Sequence, residues 1–268
     1  MNIDELPFFF ALLDHLHDAE CPVPQFITAK DDSILQNIAG KPACLIEFLE
    51  GETINQPKTS DAHSMGKVLA QMHNALEHFS HERPNDMSIA GWHKMFQLCK
   101  EKDVGAIDSK LYDRIQSELD YLNKHWPTHL PKSVIHADLF PDNVLMSGDT
   151  ITGVIDFYFA ASDIIDYDVA ISHAAWCFSN DGTSFDPEIS KALLNSYNDA
   201  RPLSPDSIKY LPILLRGACL RFILSRTVDW INTPEDAMVV KKDPMAFVNR
   251  LDYYTSEQHI NHILNFTR

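Results

Sequence analysis

The stretch VIHADLFPDNVL, from Val134 to Leu145, contains four polar side chains between two short apolar runs. The polar residues are His136, Asp138, Asp142 and Asn143. Short apolar runs are typical of buried strands, so these residues lie on the loop that joins two predicted strands. A surface loop needs residues that form turns, but it does not need this combination of imidazole, carboxylate and amide groups. The stretch therefore predicts a functional loop held between two strands.

A further aspartate, Asp156, ends the next predicted strand. If residues 143–146 pair with residues 151–156 across the turn SGDT, the resulting hairpin places Asn143 nearly opposite Asp156. A carboxylate and an amide oxygen at one end of a hairpin suit a hard cation such as Mg²⁺, which keeps water and phosphate oxygens as its other ligands. Asp138 precedes both on the loop, where it can accept a proton from an attacking hydroxyl.

These groups are the ones that phosphoryl transfer needs, because its transition state is highly charged and the protein mainly positions groups and neutralises charge. We therefore interpret Asp138 as the catalytic base and Asn143 with Asp156 as the metal ligands. His136 is the second candidate catalytic-loop residue, which shapes the loop by bonding its backbone. A lone Asp-x-x-x-x-Asn is common in structural turns, so the prediction depends on the whole set together with its flanking strands.

The composition bounds the class of protein and its partners. The 268 residues are 45% hydrophobic and 22% charged, which is typical of a globular protein. The formal charge of −16 argues against nucleic acid or an anionic membrane surface as the main partner. Five scattered cysteines without a CxxC pair predict neither disulfides nor a zinc site and favour a cytoplasmic location. No apolar run reaches the roughly 18 residues of a membrane span.

The pattern along the chain predicts an α+β fold. The apolar face of Leu6, Phe9, Phe10 and Leu13 predicts a first helix. Residues 25–51 predict short strands, of which the last, ACLIEFL, is continuous and buried.

The remaining chain predicts mainly helices. Residues 59–79, with Thr59 or Ser60 as the N-cap, and residues 109–126 predict two amphipathic helices, and most of the chain after Asp166 is also helical. The internal boundary falls near residues 51–58. It separates a strand-bearing part of residues 1–51 from a mainly helical part of residues 52–268.

The loop sequence, together with GVIDFYFAASDIIDYDVA (153–170) and AWCF (175–178), resembles the aminoglycoside phosphotransferase and choline kinase superfamily. Residues 198–230 and VVKKDPMAFVNRL (239–251) are similar to the homoserine kinases of that fold. The resemblance extends from Leu6 to Tyr253. It implies a protein-kinase-like fold with two lobes. Residues 1–51 would be the truncated remnant of the nucleotide-binding lobe, and residues 52–268 would be the catalytic and substrate-binding lobe.

The resemblance implies an activity and several further site residues. The implied reaction transfers the γ-phosphoryl group of ATP, with Mg²⁺, to the side-chain hydroxyl of L-homoserine on the way to threonine. By resemblance, Asp138 is the base, Asn143 and Asp156 bind Mg²⁺, and Asp168 braces the catalytic loop. The segment Glu47, Phe48 and Leu49 links the lobes, and its backbone meets adenine.

The implied substrate carries a carboxylate and an ammonium group. Arg216, Arg221 and Arg226 lie on one predicted helix and are the candidates for a carboxylate clamp. Successive arginines five residues apart differ by about 140° around the axis, so the three cannot all face one pocket. Arg216 and Arg226 differ by about 80° and are the two that could share a face. Asp163 or Asp166 is the expected partner of the ammonium group, and the sequence does not choose between them.

Two alternatives stay open at the level of sequence. Another small-molecule kinase is one, since Trp176, Tyr158 and Trp230 could form the aromatic cage of a choline site, whereas an aminoglycoside site needs a strongly acidic cleft. A binding protein without catalytic activity is the other.

The N-terminal sequence departs from the family pattern. Family members begin with a strand pair that covers the phosphates and a strand with a phosphate-binding lysine. In this sequence no glycine precedes Gly40 and no lysine precedes the first helix. We therefore expect that Met1 does not begin a complete enzyme, that the chain binds ATP poorly, and that apolar surface near the first helix stays open.

Overall fold

The structure is a computed structural model, and it describes residues 3–234, 236–238 and 240–266. Met1, to which one expectation refers, lies outside these residues. Helices and short antiparallel strands alternate along the described chain, which confirms the predicted α+β class. In chain order the elements are α1 (Leu6–Asp18), β1 (Phe26–Ile27), β2 (Gln36–Ile38), β3 (Lys41–Ala43), β4 (Leu45–Ile46), β5 (Glu52–Thr53), α2 (Thr59–Ala75), α3 (Ile89–Leu98), α4 (Glu101–Gly105), α5 (Leu111–His125), β6 (Lys132–Ile135), β7 (Val144–Ser147), β8 (Thr150–Val154), β9 (Ala161–Ile164), α6 (Ile165–Trp176), α7 (Pro187–Ala200), α8 (Pro205–Asn232), α9 (Met245–Thr255) and α10 (Glu257–Leu264).

Helix α1 buries one face in the main core of the protein. Its buried side chains are Phe8, Phe9, Leu12, Leu13 and Leu16. Phe8 meets Phe79 edge-on, with 6.2 Å between the ring centroids, and Arg83 lies over the ring of Phe9. The buried face is rotated by part of a turn from the predicted face. Phe8 and Leu12 are buried, whereas Phe10, which was predicted to be buried, is only half-buried. The expectation that this helix needs a further sheet to cover it is wrong for Phe9 and Leu13.

The strands before Gly51 form two small pairs with an exposed apolar surface. Strand β1 pairs with β4, and β2 pairs with β3 through a tight turn in which Ala39 and Gly40 both have positive φ. The expectation that ACLIEFL forms one buried strand is wrong. The segment is divided into β3 and β4, and Leu45 is 69% exposed and Phe48 92% exposed.

The predicted hairpin of β7 and β8 is present. The two strands are antiparallel, and Gly148 in the turn between them has a φ of +61°. Strand β5 pairs with the other edge of β7, and β6 pairs with β9 in a separate two-stranded sheet. The loop between β6 and β7 is thereby anchored at both ends to sheets, as the sequence predicted.

Helix α6 lies at the centre of the larger part and is buried along its whole length. Helices α7 and α8 contact it, α2 packs against α7, and α9 packs against α8. The N-terminus of α2 differs from the prediction, because Lys58 precedes the helix and its backbone N–H donates to Asp61 Oδ2 at 2.9 Å. Side chains of α1 join the same core, and the division near Gly51 stays a prediction.

Within the described residues, no helix combines the length and the apolar character needed to cross a membrane.

Candidate active site

Two residues of the candidate site have an unusual backbone, one on the loop between β6 and β7 and one just after β8. Ala137 has a φ of +64°, and Asp156, just after β8, has φ 62° and ψ 59°. Such left-handed conformations are uncommon for residues other than glycine and persist where the surrounding contacts hold them. Here the contacts are hydrogen bonds of neighbouring side chains to the loop backbone. The conformation therefore points to a loop that is fixed before any ligand binds.

Asp168 of α6 supplies two of these hydrogen bonds. Its Oδ2 accepts from the backbone N–H of His136 and its Oδ1 from that of Ala137, both at 2.8 Å. The carboxylate is fully buried and also accepts from Nε2 of His73 on α2 at 3.2 Å. Nδ1 of His73 lies 2.8 Å from the hydroxyl of Tyr197 on α7. Helices α2, α6 and α7 thus hold the loop through one buried network.

The charge on Asp168 is stabilised where it lies. Burial by itself raises the pKa of this carboxyl, but the hydrogen bond and charge of His73 and the bond from His136 outweigh it. The pKa of Asp168 is therefore below its ordinary value of 3.8. Because the pKa is lowered in the folded state, the stabilisation is present above the unfolded pKa and is lost as the pH falls through the folded pKa.

We expect Asp168→Ala to lower the free energy of unfolding by about 3–5 kcal/mol at pH 7, since it leaves two buried N–H groups and His73 without their acceptor. Urea unfolding measures the loss. The difference from wild type should persist down to about pH 4 and narrow below it. Asp199→Ala, an exposed change on α7, is the control. An unchanged difference from pH 7 to pH 3 would contradict the assignment.

His136 is 1% exposed and both of its ring nitrogens contact the backbone. Nε2 lies 3.0 Å from the carbonyl oxygen of Ile155, and Nδ1 accepts from the backbone N–H of Asp138 at 3.2 Å. The ring is therefore protonated at Nε2 and cannot reach a substrate. The position of the His136 ring agrees with a loop-shaping function. The ring connects the loop to the residue that follows β8.

Asn143 and Asp156 come together as the hairpin register requires. The backbone N–H of Ile155 donates to the carbonyl oxygen of Asn143 at 3.0 Å, and both side chains line the same cavity. The amide N–H of Asn143 donates to the carbonyl oxygen of Asp138 at 2.8 Å, so that its own oxygen is left for a ligand. Two hard oxygen donors fit Mg²⁺, which takes its other ligands from phosphate and water. Within the described residues no cluster of three His, Cys, Asp or Glu forms a metal site of another kind.

The cavity beside these residues has a volume of about 530 Å³. Its charged lining residues are Asp138, Asp142, Asp156, Asp229, Arg221, Arg226, Lys241 and Lys242. Three phenylalanine rings, those of Phe140, Phe159 and Phe222, form its apolar wall. Four acids and four bases around one open volume are suited to a small polar molecule that carries charges of both signs.

Arg221 is the arginine next to the candidate base. Its side chain is 3% exposed, and its Nη1 lies 3.3 Å from Oδ1 of Asp138. The guanidinium lies over the rings of Phe159 and Phe222, at 5.1 and 4.2 Å from their centroids. Stacking and the ion pair fix Arg221 as a rigid positive group beside the position of the reacting hydroxyl.

Arg226 lies about one and a half turns after Arg221 on α8 and lines the same cavity. Its Nη1 donates to the carbonyl oxygen of Asp243 at 3.0 Å, and its guanidinium lies over the ring of Phe247. Burial, with the nearby charge of Arg250, lowers the pKa of Arg226 to about 10.

Arg216 is not in the cavity, which corrects the expectation that it is a substrate ligand. It forms two hydrogen bonds of 2.7 Å with the carboxylate of Glu118 on α5. Its guanidinium also stacks on Tyr121 at 3.6 Å. The sequence favoured Arg216 and Arg226 as the two arginines that could share a face, but the structure places Arg221 and Arg226 at the cavity and Arg216 away from it.

Asp163 and Asp166 do not reach the cavity either. Both are buried, and burial raises the pKa of each carboxyl above its ordinary value. The carboxylate of Asp163 accepts a hydrogen bond from the side-chain amide of Asn85 at 2.6 Å, and the carboxylate of Asp166 is hydrogen-bonded to the side chain of Ser207. The expectation that one of them receives the substrate ammonium is therefore wrong.

The predicted adenine segment lies at the surface of the small strands. Phe48 is exposed, and the backbone N–H of Glu47 donates to the carbonyl oxygen of Gln25 at 2.8 Å. Leu49 packs towards Gly153 of β8. None of the three lines the cavity beside Asp138. Their contact with adenine stays a prediction.

The aromatic residues proposed for a choline cage do not converge. Trp176 is 1% exposed, and its Nε1–H donates to the carbonyl oxygen of Leu139 beneath the catalytic loop. Tyr158 is half exposed against Phe159, and Trp230 lies against Lys241. They occupy three separate positions, and none of them lines the cavity.

Several residues of the site were missed from the sequence, and four of them carry charge or support the loop. His73 supports Asp168, whereas Asp229, Lys241 and Lys242 line the cavity. The signal for Asp229 was its position three residues after Arg226 on a predicted helix, which puts both on one face. The signal for the lysines was the basic pair before α9. His73 gave no local signal, because its partner lies 95 residues away.

Comparison with known proteins agrees with this site. Residues 2–203 match the model of the phosphotransferase enzyme family. A homoserine kinase of Zymomonas mobilis is 45% identical over 254 residues, which cover 95% of the chain and 79% of the relative. A homoserine kinase of Agrobacterium fabrum is 44% identical over 94% of the chain and 77% of the relative.

Solved structures resemble the fold at lower sequence identity. A microcompartment-associated aminopropanol kinase superposes with a TM-score of 0.72 at 17% identity, over 95% of this chain and 82% of that chain. The amicoumacin kinase hAmiN, solved with AMP-PNP and Ca²⁺, gives a TM-score of 0.69 at 13% identity, over 95% and 78%. These likenesses confirm the protein-kinase-like fold.

Proposed function

Because the chain belongs to the phosphotransferase enzyme family, and within it to the homoserine kinases, we propose that it transfers the γ-phosphoryl group of ATP to the side-chain hydroxyl of L-homoserine. The product is O-phospho-L-homoserine, on the way to threonine. The observation that carries the proposal is the single cavity that brings Asp138, Asn143, Asp156 and a buried arginine together. Relatives at 44–45% identity over most of the chain support the choice of acceptor.

In this proposal Asp138 orients the acceptor hydroxyl and takes its proton as the oxygen attacks phosphorus. The carboxylate is partly exposed towards the cavity, at 18%, so a substrate can reach it. The contact with Arg221 directs the carboxylate of Asp138, and the hydrogen bond from its backbone N–H to His136 fixes its position on the loop. A positioned base of this kind contributes by proton transfer and by orientation.

Asn143 and Asp156 are the residues that would hold Mg²⁺, and their oxygen donors fit it. When bound with ATP, the metal neutralises charge on the phosphates. Asp168 and His136 contribute by holding the loop in a conformation that presents these side chains together. Lys241 and Lys242 add positive charge at the mouth of the cavity, where Lys242 lies 3.5 Å from Asp142.

The substrate carboxylate is proposed to bind Arg226, with Arg221 beside it. Arg226 is half-buried, and its guanidinium has only a backbone carbonyl as a hydrogen-bond acceptor among the described residues. An arginine in this state gains from binding a carboxylate, since bidentate pairs of this kind are strong.

The alternative kinases receive less support from the geometry. Quaternary ammonium groups bind over aromatic faces, but Arg221 already covers the faces of Phe159 and Phe222 in the cavity. The equal number of acidic and basic residues around the cavity does not make the strongly acidic cleft that an aminoglycoside needs. A non-catalytic function receives least support, because the chain keeps every residue of the catalytic hairpin.

Two further parts of the proposal concern the nucleotide and the location. The backbone of Glu47, Phe48 and Leu49 is proposed to meet adenine, from its place between the small strands and the hairpin. We place the reaction in the cytoplasm, where ATP and free amino acids occur and where the five free cysteines stay reduced.

A panel of acceptors tests the function directly. The protein is incubated with ATP, Mg²⁺ and L-homoserine, L-serine, choline or kanamycin, and ADP release is measured. We expect kcat/KM for L-homoserine to exceed that for choline or kanamycin by about 100-fold or more, because these acceptors leave polar groups of the site unpaired. For L-serine, which differs only by one methylene, we expect a smaller factor of about 10-fold or more. A higher kcat/KM for choline or kanamycin would contradict the proposal.

A further inference from the structure

The acidic residues of the cavity differ in whether they already have a partner. Asp138 is paired with Arg221 at 3.3 Å, and Asp142 with Lys242 at 3.5 Å. Asp156 lies beside Asn143 at the metal position. Asp229 is the remaining acid, and its carboxylate forms no ion pair or hydrogen bond with any described residue.

Asp229 belongs to a continuous stripe on helix α8. Arg221, Phe222, Ser225, Arg226 and Asp229 all line the cavity, at the spacing of one helical face. Residues three apart on a helix are neighbours, with about 5–6 Å between their Cβ atoms. Arg226 and Asp229 therefore present one positive and one negative group side by side to the same open volume.

We propose that Asp229 binds the α-ammonium group of the substrate while Arg226 binds its α-carboxylate, so that the pair recognises the head of an α-amino acid. The inference rests on the proposed function and deepens it. Both groups of the substrate are attached to one carbon, and an arginine and an aspartate on neighbouring positions match them with opposite charge. Neither group alone distinguishes an amino acid from a hydroxy acid or an amino alcohol.

The distance along α8 fits an acceptor with a short side chain. The side chain of Arg221 contacts Asp138. The rise along α8 from Arg221 to Asp229 is about 12 Å. The extended chain from the ammonium nitrogen to the hydroxyl oxygen of homoserine measures about 5 Å, at bond lengths near 1.5 Å. A hydrogen bond of about 3 Å at each end brings the total to about 11 Å.

The same geometry predicts which analogues are rejected. 4-Hydroxybutyrate keeps the carboxylate and the hydroxyl but lacks the ammonium group. 3-Aminopropan-1-ol keeps the ammonium group and the hydroxyl but lacks the carboxylate. Each analogue loses one of the two charge-assisted contacts that the pair offers to L-homoserine, and should therefore bind more weakly.

The test measures binding by titration calorimetry on the full chain, with L-homoserine and the two analogues as probes. Asp229→Asn should weaken the binding of L-homoserine by about 10- to 100-fold, the value of a charge-assisted hydrogen bond, and leave that of 4-hydroxybutyrate unchanged. Arg226→Gln should weaken the binding of L-homoserine and of 4-hydroxybutyrate and leave the binding of 3-aminopropan-1-ol unchanged. Asp229→Glu should recover part of the loss. Asp206→Asn, at an exposed position in the first turn of the same helix, is the matched control.

Each result bears on one of the two proposals. Unchanged homoserine binding by Asp229→Asn overturns the inference, and so does an equal loss for homoserine and 4-hydroxybutyrate, which indicates general damage to the cavity. A wild-type protein that binds no L-homoserine at all overturns the proposed function instead. A selective loss for ligands with an ammonium group supports both.

Discussion

Asp138→Asn is expected to lower kcat for phosphoryl transfer by about 10²- to 10⁴-fold and to leave the fold intact. The amide keeps the size of the side chain and an oxygen that can accept from Arg221, but it cannot take the proton of the acceptor hydroxyl. The bond from the backbone N–H of residue 138 to His136 does not involve the side chain and stays in place. The loss should therefore appear in kcat, with little change in the KM for ATP.

Steady-state kinetics with L-homoserine and ATP, together with thermal unfolding, separate this effect from damage to the structure. Asp149→Asn is the control, because it makes the same chemical change at an exposed position of the β7–β8 turn. The hydrogen bond that residue 149 accepts from Ser64 uses its backbone oxygen and is unaffected. A variant at position 138 with near-normal kcat would remove Asp138 from the reaction.

Asp156→Ala should lose metal-dependent ATP binding more severely than Asn143→Ala. A carboxylate offers a full negative charge to the cation and an amide offers only a dipole. Since charge-assisted contacts are roughly twice as strong as neutral ones, we expect the loss of binding free energy for Asp156→Ala to be roughly twice that for Asn143→Ala. ATP titrations with and without Mg²⁺ measure both losses.

The backbone at Asp156 requires a second variant. Its φ of 62° is tolerated by asparagine better than by alanine, so Asp156→Asn removes the charge and keeps the conformation. If charge is the cause, Asp156→Asn should lose most of what Asp156→Ala loses. A larger loss for Asn143→Ala than for Asp156→Ala, or equal losses with and without Mg²⁺, would refute the ranking.

The sequence was sufficient to predict the hairpin of β7 and β8, because the residues that determine its register are close together in the chain. Strands β7 and β8 are joined by a tight turn, so their register, and with it the meeting of Asn143 and Asp156, follows from a few neighbouring residues. The backbone function of His136 was predicted for the same reason, since its partner Ile155 belongs to the same hairpin.

The predictions failed where burial depends on distant parts of the chain. The apolar segment ACLIEFL has the composition of a buried strand, yet it lies exposed, because composition does not report which element covers a strand. Asp163 and Asp166 have the charge expected of a ligand for an ammonium group. Their pKa values are raised because the fold buries them away from the cavity, against Asn85 and Ser207.

The sequence by itself predicted the kinase-like class of the fold and placed the candidate groups, Asp138 on the loop before the hairpin and Asn143 with Asp156 at the end of the hairpin. Only the tertiary structure decided which residues complete the site. It selected Arg221, 83 residues from Asp138, excluded Arg216 through its pairing with Glu118, and placed Asp229 beside the cavity. The physical reason is that contacts within a hairpin are set by turn and register, whereas the face that a long helix turns towards a site is set by its packing against the rest of the core.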